Sequence, residues 1–274
     1  MLSSEVLLDA EGVVVEDVRC PGHSPDWSSD EPVTRFGVVF PRAGVFRRRV
    51  DGVESVIDTV SGYVQRPNSE QQIAHPSGGD RCTSVTMSAS ALVSLVGDDR
   101  VSAGRADLAL AIDPGVDLRH RELVARAGRG AEADELTERA MAILGGVLTG
   151  LAPDAIGAGF PSGAERRRRL MDEVRQALHE EPGLGLTELA RRVGLSPFHL
   201  SRVFKQACGL TISAYRVRLR VRRALERLGD GERDLARLAV DTGFADQAHL
   251  TRRVRSETGD TPGQLRALLA RSAV

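Results

Sequence analysis

Lysine is almost missing from this chain: Lys205 is the only one in 274 residues, so nearly every basic group is an arginine. Cysteine is scarce too. Cys20, Cys82 and Cys208 cannot all pair and show no Cys-x-x-Cys spacing, which argues against a disulfide framework and fits a reducing cytoplasm. The six histidines are scattered, only His23 and His75 precede residue 100, and no His-x-His pair occurs. Open-site metal chemistry needs several nitrogen or oxygen ligands at once, so neither a catalytic metal nor a cofactor is expected. Aromatic residues are 4% of the chain, and core packing is the first expectation for each. The longest largely apolar run, Ala140 to Ala152, is too short to cross a bilayer. Met1 to Gly12 holds Glu5, Asp9 and Glu11 and no basic residue, unlike a secretory signal. What remains is a cytoplasmic chain of ordinary composition, 41% hydrophobic and 27% charged, with room for two domains.

One segment occurs twice near the C-terminus. Leu189-Ala190, Gly194, His199-Leu200-Ser201-Arg202, Gly209, Thr211 and Arg216 return as Leu238-Ala239, Gly243, His249-Leu250-Thr251-Arg252, Gly259, Thr261 and Arg266, offset by 50 positions from the histidine onward. This spacing predicts a duplicated helix-turn-helix unit. In the first copy, Leu186, Leu189, Ala190 and Val193 form one helical face, and Gly194 ends that helix. Ser196 then caps a second helix opened by Pro197, whose missing N–H falls where the first turn has no partner for one. Leu200, Val203, Phe204 and Ala207 form the stripe expected to be buried, leaving Phe198, His199, Ser201, Arg202, Lys205 and Gln206 outside. Side chains of these types reach base edges and phosphates in a major groove.

In the second copy, Leu235, Leu238 and Ala239 precede a turn at Gly243-Phe244, Asp246 is the expected cap, and a recognition helix runs from about Gln247 to Thr258. Arg253 stands where Val203 does, so a thinner buried stripe is expected. A helix from about Thr211 to Leu228, with Tyr215, Leu219, Ala224 and Leu228 as packing positions, joins the units. Charge divides the chain in the same place. Residues 1 to 164 hold 15 basic against 24 acidic groups, and the remainder 22 against 14, so a net charge of −1 conceals a basic half. Such a half displaces counterions from phosphates and makes binding salt-dependent.

The stretch from Glu165 to Ala270 resembles the DNA-binding domain of the AraC/XylS regulators. The resemblance rests on Leu189-Ala190, Gly194-Leu195-Ser196, Leu200 to Lys205, Gly209, Tyr215-Arg216 and Ala224, then Ala239, Gly243-Phe244, Leu250-Thr251-Arg252 and Gly259 to Pro262. It implies two readers bridged by one long helix, with double-stranded DNA as partner and RNA polymerase as a second if the protein activates. By matching positions, Phe198, Ser201, Arg202, Gln247, Thr251 and Arg252 are expected at base edges, and Arg191, Arg192, Lys205, Arg253 and Arg255 at phosphates.

The N-terminal part reads as strands. Short apolar or alternating runs recur at Gly12 to Val18, Arg35 to Phe40, Val45 to Val50, Glu54 to Val60, Tyr63 to Arg66, Gln72 to Ala74 and Thr83 to Met87. Asp51-Gly52 is a hairpin signal. The expected fold class is α+β: a small antiparallel barrel over residues 1–114, a helical region over 115–151, a linker over 152–164 and an all-α DNA-binding domain over 165–274. The segment from Phe36 to Met87 resembles the cupin-like effector-binding module that the family commonly carries. Trp27, Phe36, Phe46, Tyr63 and His75 are the candidates for a small-molecule effector pocket. His75 itself, followed by Pro76 and the Gly78-Gly79 pair, reads as a turn or barrel-mouth residue rather than a metal ligand.

Leu136, Ala140, Ile143, Leu144, Val147 and Leu151 repeat at helical spacing between about Ala131 and Leu151. This stripe either packs on the barrel or pairs with its copy in a homodimer, as the resemblance implies. Ala152 to Gly163 reads as the interdomain linker, and Ser162 with Glu165 as a capping box. The functional expectation is a sequence-specific, effector-controlled transcription regulator and not an enzyme. The alternatives are a ligand-independent regulator, a cupin enzyme fused to a DNA reader, and a DNA-repair methyl acceptor, for which the cysteines are too few.

Overall fold

The structure is a computed structural model that describes residues 3–22, 24–96, 109–150 and 164–271. The linker expected at 152–163, Leu151 and the Ser162 capping box lie outside the described residues.

The N-terminal strands are β1 (Ser3–Ala10), β2 (Val13–Cys20), β3 (Glu31–Val33), β4 (Phe36–Ala43), β5 (Val45–Val50), β6 (Val53–Asp58), β7 (Ser61–Gln65), β8 (Ser69–Ala74), β9 (Asp80–Met87) and β10 (Ala109–Ala111). They form two antiparallel sheets in the orders β1-β2-β9-β4-β7-β10 and β3-β8-β5-β6. The closed barrel expected from the strand spacing is therefore corrected to an open two-sheet arrangement. Each sheet ends on an edge that pairs with nothing in the other, and two of those edges, β3 and β10, are only three residues long. The hairpin at Asp51-Gly52 is present, with φ of 48° and 77° carrying β5 into β6.

β4 is buried along nearly its whole length because both of its faces are covered. Val38 and Phe40 point toward helices and join Val13, Val15, Val85 and Met87 in one core, while Val39 faces Phe46, Ile57, Tyr63 and Cys82 between the sheets. The covering helices are α1 (Ala89–Val96), α2 (Pro114–Ala127) and α3 (Ala133–Gly150). Asp113 caps α2, its side chain accepting from Gly115 and Val116 N–H groups, and Pro114 occupies the first turn. The predicted stripe Leu136, Ala140, Ile143, Leu144 and Val147 is buried in the same core as the sheet. Of the two uses open to it, packing on the sheet is the one observed.

The C-terminal helices are α4 (Ala164–Glu180), α5 (Leu186–Arg192), α6 (Pro197–Cys208), α7 (Ile212–Gly229), α8 (Leu235–Asp241), α9 (Gln247–Thr258) and α10 (Pro262–Leu269). One hydrophobic cluster gathers α4 to α6 and the first half of α7, and a second gathers the rest of α7 with α8 to α10. Tyr215, Leu219, Ala224 and Leu228 of α7 are all buried, as their spacing predicts. Two expected core positions are exposed. Ala207 is exposed at the last turn of α6, and Leu186 lies at the first turn of α5 with 39% of its surface open.

Buried ionic contacts join the two halves. The turn between β6 and β7 enters the first cluster, where Val60 packs with Met171, Val174 and Tyr215. Beside it Asp58 accepts a 2.5 Å hydrogen bond from the Tyr215 hydroxyl and pairs with Arg175 at 3.3 Å. Farther along α7, Arg222 pairs with Asp117 of α2, as does Arg121 of α2 itself, and Arg121 also reaches Glu226 of α7 at 2.7 Å. Arg81 and Arg271 reach Glu226 from two other sides, at 3.3 and 3.0 Å. Burial alone disfavours these carboxylates, yet the surrounding guanidinium groups hold Asp117 and Glu226 well below the usual carboxylate range.

Removing one member of such a cluster leaves the others charged, buried and unpartnered. Asp117→Ala is expected to lower stability by about 3–5 kcal/mol, the range for breaking a buried ion pair; urea unfolding measures it, and a loss below about 1 kcal/mol would contradict the burial seen here. His120 gives a pH signature. Its ring stacks on Phe40 at 4.7 Å and contacts Asp117 and Thr83. Burial, helped by Arg121 and Arg42 and opposed by Asp117, lowers its pKa to about 4. The unfolded chain takes up this proton near pH 6.5 and the folded chain does not, so stability is expected to fall as pH drops from 7 to 5. His120→Gln should flatten that part of the urea-midpoint profile, and an unchanged slope would refute the assignment.

Candidate nucleic-acid interface

The two outward helices, α6 and α9, are built by the same local rules. Ser196 accepts from His199 N–H at 3.2 Å with Pro197 next in line, and Asp246 accepts from His249 N–H at 2.6 Å. Both helices end on a left-handed glycine, Gly209 at φ 70° and Gly259 at φ 87°, whose N–H closes on the carbonyl of Lys205 or Arg255. The predicted span of Gln247 to Thr258 is the span observed. The repeat continues past the glycines, since Thr211 caps α7 through Ala214 N–H and Thr261 caps α10 through Gln264 N–H. Sequence reading did not identify α10 as an element. Its signal was present in Thr261-Pro262 and Gln264, which form a full capping box.

The inner faces differ as expected. Leu200, Val203 and Phe204 are buried in α6, with Phe204 meeting Tyr215 edge-on at 5.3 Å. In α9 only Leu250 and Val254 are buried, and Arg253 is exposed. Phe244 from the preceding turn and Leu265 and Leu269 from α10 complete that core. The Arg218–Glu257 pair at 3.0 Å ties α9 back to α7.

On the outer faces, Phe198, Arg202, Gln247 and Arg252 are exposed, Ser201 and Thr251 half-buried. Phe198 is 80% open, and its ring is suited to contact with a thymine methyl or sugar edge. Among the residues expected at phosphates, the structure separates two groups. Arg191 and Arg192 already pair with Glu188 and Glu181 at 2.6 and 2.7 Å. Among the described residues no carboxylate is paired with Lys205, Arg253 or Arg255, and Arg253 instead lies 3.4 Å from the His249 ring.

The expected effector residues do not all meet. Phe46, Tyr63 and His75 line a cavity of about 450 Å³ between the sheets, with Cys20, Gln71, Asp80 and Cys82. Phe46 stands 6.2 Å from Tyr63 and 5.8 Å from His75, ring centre to ring centre. Trp27 and Phe36 are elsewhere. Arg49 and Arg47 stack over the Trp27 indole at 4.0 and 5.2 Å, and Phe36 belongs to the core under α3. The reason is strand parity, which places Phe36 with Val38 and Phe40 on the helix-facing side of β4. Sequence reading also missed buried Arg48, whose guanidinium lies 4.2 Å from the Tyr63 ring centre and donates to Gln71 at 3.0 Å. A second cavity of about 530 Å³ lies between the halves, lined by Ser61, Leu110, Met171, Arg175, Cys208 and Tyr215 among others. No local pattern announces a cavity whose walls come from distant segments.

Comparison with known proteins agrees with this geometry where it reaches. Residues 189–268 match the family model described as a helix-turn-helix domain. Ada of Escherichia coli, a bifunctional transcriptional activator and DNA repair enzyme, is 33% identical over 125 residues, 42% of this chain and 35% of Ada. The arabinose operon regulatory protein of Escherichia coli is 30% identical over 82 residues, 30% of this chain and 28% of that protein. The chain thus spans about a third of the length of these curated relatives. An AraC-type transcriptional regulator from Chromobacterium violaceum aligns at 28% identity over 41% of this chain and 100% of its own, with a TM-score of 0.35. ToxT of Vibrio cholerae aligns at 12% identity over 96% of this chain and 100% of its own, with a TM-score of 0.40. With their two capped recognition helices, shared helix α7 and family match, residues 189–268 form a helix-turn-helix domain similar in sequence to that of the arabinose operon regulatory protein.

Proposed function

We propose that this chain is a sequence-specific DNA-binding regulator of transcription, not an enzyme, working in the cytoplasm under control of a small molecule held between its N-terminal sheets. The observation that carries this reading is the repeated recognition helix, capped in the same way twice and leaving an exposed arginine at matching positions, Arg202 and Arg252. The absence of a helix long and apolar enough to cross a membrane among the described residues is consistent with it. The two helices read adjacent major-groove segments, one helical turn or roughly 34 Å apart. Phe198, Ser201, Arg202, Gln247, Thr251 and Arg252 meet base edges; Lys205, Arg253 and Arg255 meet phosphates. Arg191 and Arg192 do so only after giving up Glu188 and Glu181. The effector residues are Phe46, Tyr63 and His75 around the cavity. A homodimer, which the family resemblance implies, needs a surface other than the α3 stripe because the sheet already covers that stripe. As an activator the protein would also meet RNA polymerase.

Selection from a random DNA library with the full chain, with and without cellular small molecules, tests this directly: an enriched sequence is expected, and none would refute it. On that sequence Arg202→Ala and Arg252→Ala should each weaken binding by about 1–3 kcal/mol and relax preference at one base position. A base profile unchanged by both rejects those contacts. Lys205→Ala should weaken binding evenly across sequences and lower the salt slope by about 1. Arg191→Ala should change that slope less, since a carboxylate already competes for the guanidinium.

A further inference from the structure

Two of the three cysteines face the cavity between the sheets, and one histidine and one aspartate face it with them. β2 ends at Cys20, directly opposite Asp80, the first residue of β9. Cys82 follows two residues later on the same side of that strand. His75 comes from the turn after β8 and is pinned by a backbone bridge to Ser24, with N–H···O distances of 2.6 and 3.1 Å in the two directions. Three separate stretches of chain are thus fixed around one point.

The contacts there are specific. His75 Nε2 lies 2.6 Å from Asp80 Oδ1, and the other Asp80 oxygen accepts from the Cys82 thiol at 3.0 Å. With Nε2–H donating to the carboxylate, the Nδ1 lone pair is left facing Cys20 Sγ, 3.7 Å away. The sulfur-to-nitrogen separation fits a metal ion. Zinc bonds of about 2.3 Å to sulfur and 2.0 Å to nitrogen at a tetrahedral angle require roughly 3.5 Å between the two ligand atoms. Ligand atoms of Cys20, His75 and Asp80 all lie within 4.8 Å of one another, and His75 and Asp80 are buried while Cys20 is half-exposed on the access side.

We propose that Cys20, His75 and Asp80 form a binding site for a thiophilic divalent cation of the zinc class. The donor set decides the class: one sulfur, one imidazole nitrogen and one carboxylate oxygen suit zinc and its neighbours and are poor for magnesium or calcium, which take oxygen alone. Cys20 Sγ and His75 Nδ1 close on the ion by a few tenths of an ångström, the Cys20 proton leaves to water, and Asp80 gives up its contact with His75 Nε2 to take the third position. The fourth position opens on the cavity, where water or a small ligand completes the coordination. This is the open form of zinc site rather than the closed structural one. The scattered histidines gave no expectation of a metal, whereas these ligands converge from residues 20, 75 and 80.

The site can be tested on the full chain stripped of metal and titrated with cobalt(II). The expected result is one cobalt ion per chain, with the near-ultraviolet band of a thiolate–cobalt bond, displaced by zinc. Cys20→Ser and His75→Asn should abolish the band, while Cys208→Ser, remote from the cavity, should keep it. A test without substitutions guards against misfolding: zinc should slow alkylation of Cys20 at least tenfold, followed by peptide mapping, and leave the alkylation of Cys208 unchanged. No thiolate–cobalt band, a band that survives in Cys20→Ser, or equal effects of zinc on both cysteines would overturn the proposal. The site stands apart from the DNA-binding reading. Metal uptake by a chain that selects no DNA supports this site alone, and DNA selection by a chain that takes no metal supports the other alone.

Discussion

The arrangement of the molecule depends on ionic contacts buried where the two halves meet. Asp58, Arg175 and Tyr215 form one group, and Asp117, Arg121, Arg222 and Glu226 the other, both seated along α7. Groups of this kind add little net stability over an apolar contact of the same shape, because each charge has been stripped of water. Their effect is on geometry. A guanidinium between two carboxylates tolerates one position and few others, so a sliding or tilted interface loses several contacts together. Both recognition helices are mounted on α7, so whatever fixes α7 against the sheets fixes the frame from which both readers project.

The readers are not equal within that frame. The first has a full stripe in α6, an edge-on contact between Phe204 and Tyr215, and a core residue lent by the sheet domain. The second replaces Val203 with the exposed Arg253 and recovers its core from Phe244 and α10. It also leans on α2: Leu118 packs against its core, and Arg129 donates to the last carbonyls of α10, at 3.0 Å to Ala270. Each reader therefore touches the sheet domain through a different element, the β6–β7 turn for the first and α2 for the second.

Features set by neighbouring residues were readable in the chain itself. Ser196-Pro197, Asp246, Gly209, Gly259 and Asp51-Gly52 each demand a local backbone shape, and each is found in it. The repeat made the outer positions of α6 and α9 readable as well, since one copy sets the register of the other. Features that need distant partners were not readable. Asp58 and Tyr215 stand 157 positions apart, and nothing in the local pattern of either announces the other. β1 went unseen because an edge strand has most of its side chains in water and shows little alternation. The closed barrel failed for a related reason, because strand spacing reports how many strands exist and not whether the last meets the first. Phe36 was misplaced since aromatic character does not say which side of a strand faces the cavity, and Trp27 since it lies in the loop between β2 and β3, where Arg47 and Arg49 cover it.

Val60 draws a boundary where none is visible along the chain. It lies in the turn between two strands of the sheet domain, yet its side chain completes the packing under the first recognition helix. A tail cut loose at residue 164 would carry all its own helices and still have a hole the size of an isopropyl group beneath α6. Cutting or grafting this protein at its apparent seam separates a lock from its key, and a chimera inherits a sound first reader only when that one turn travels with it.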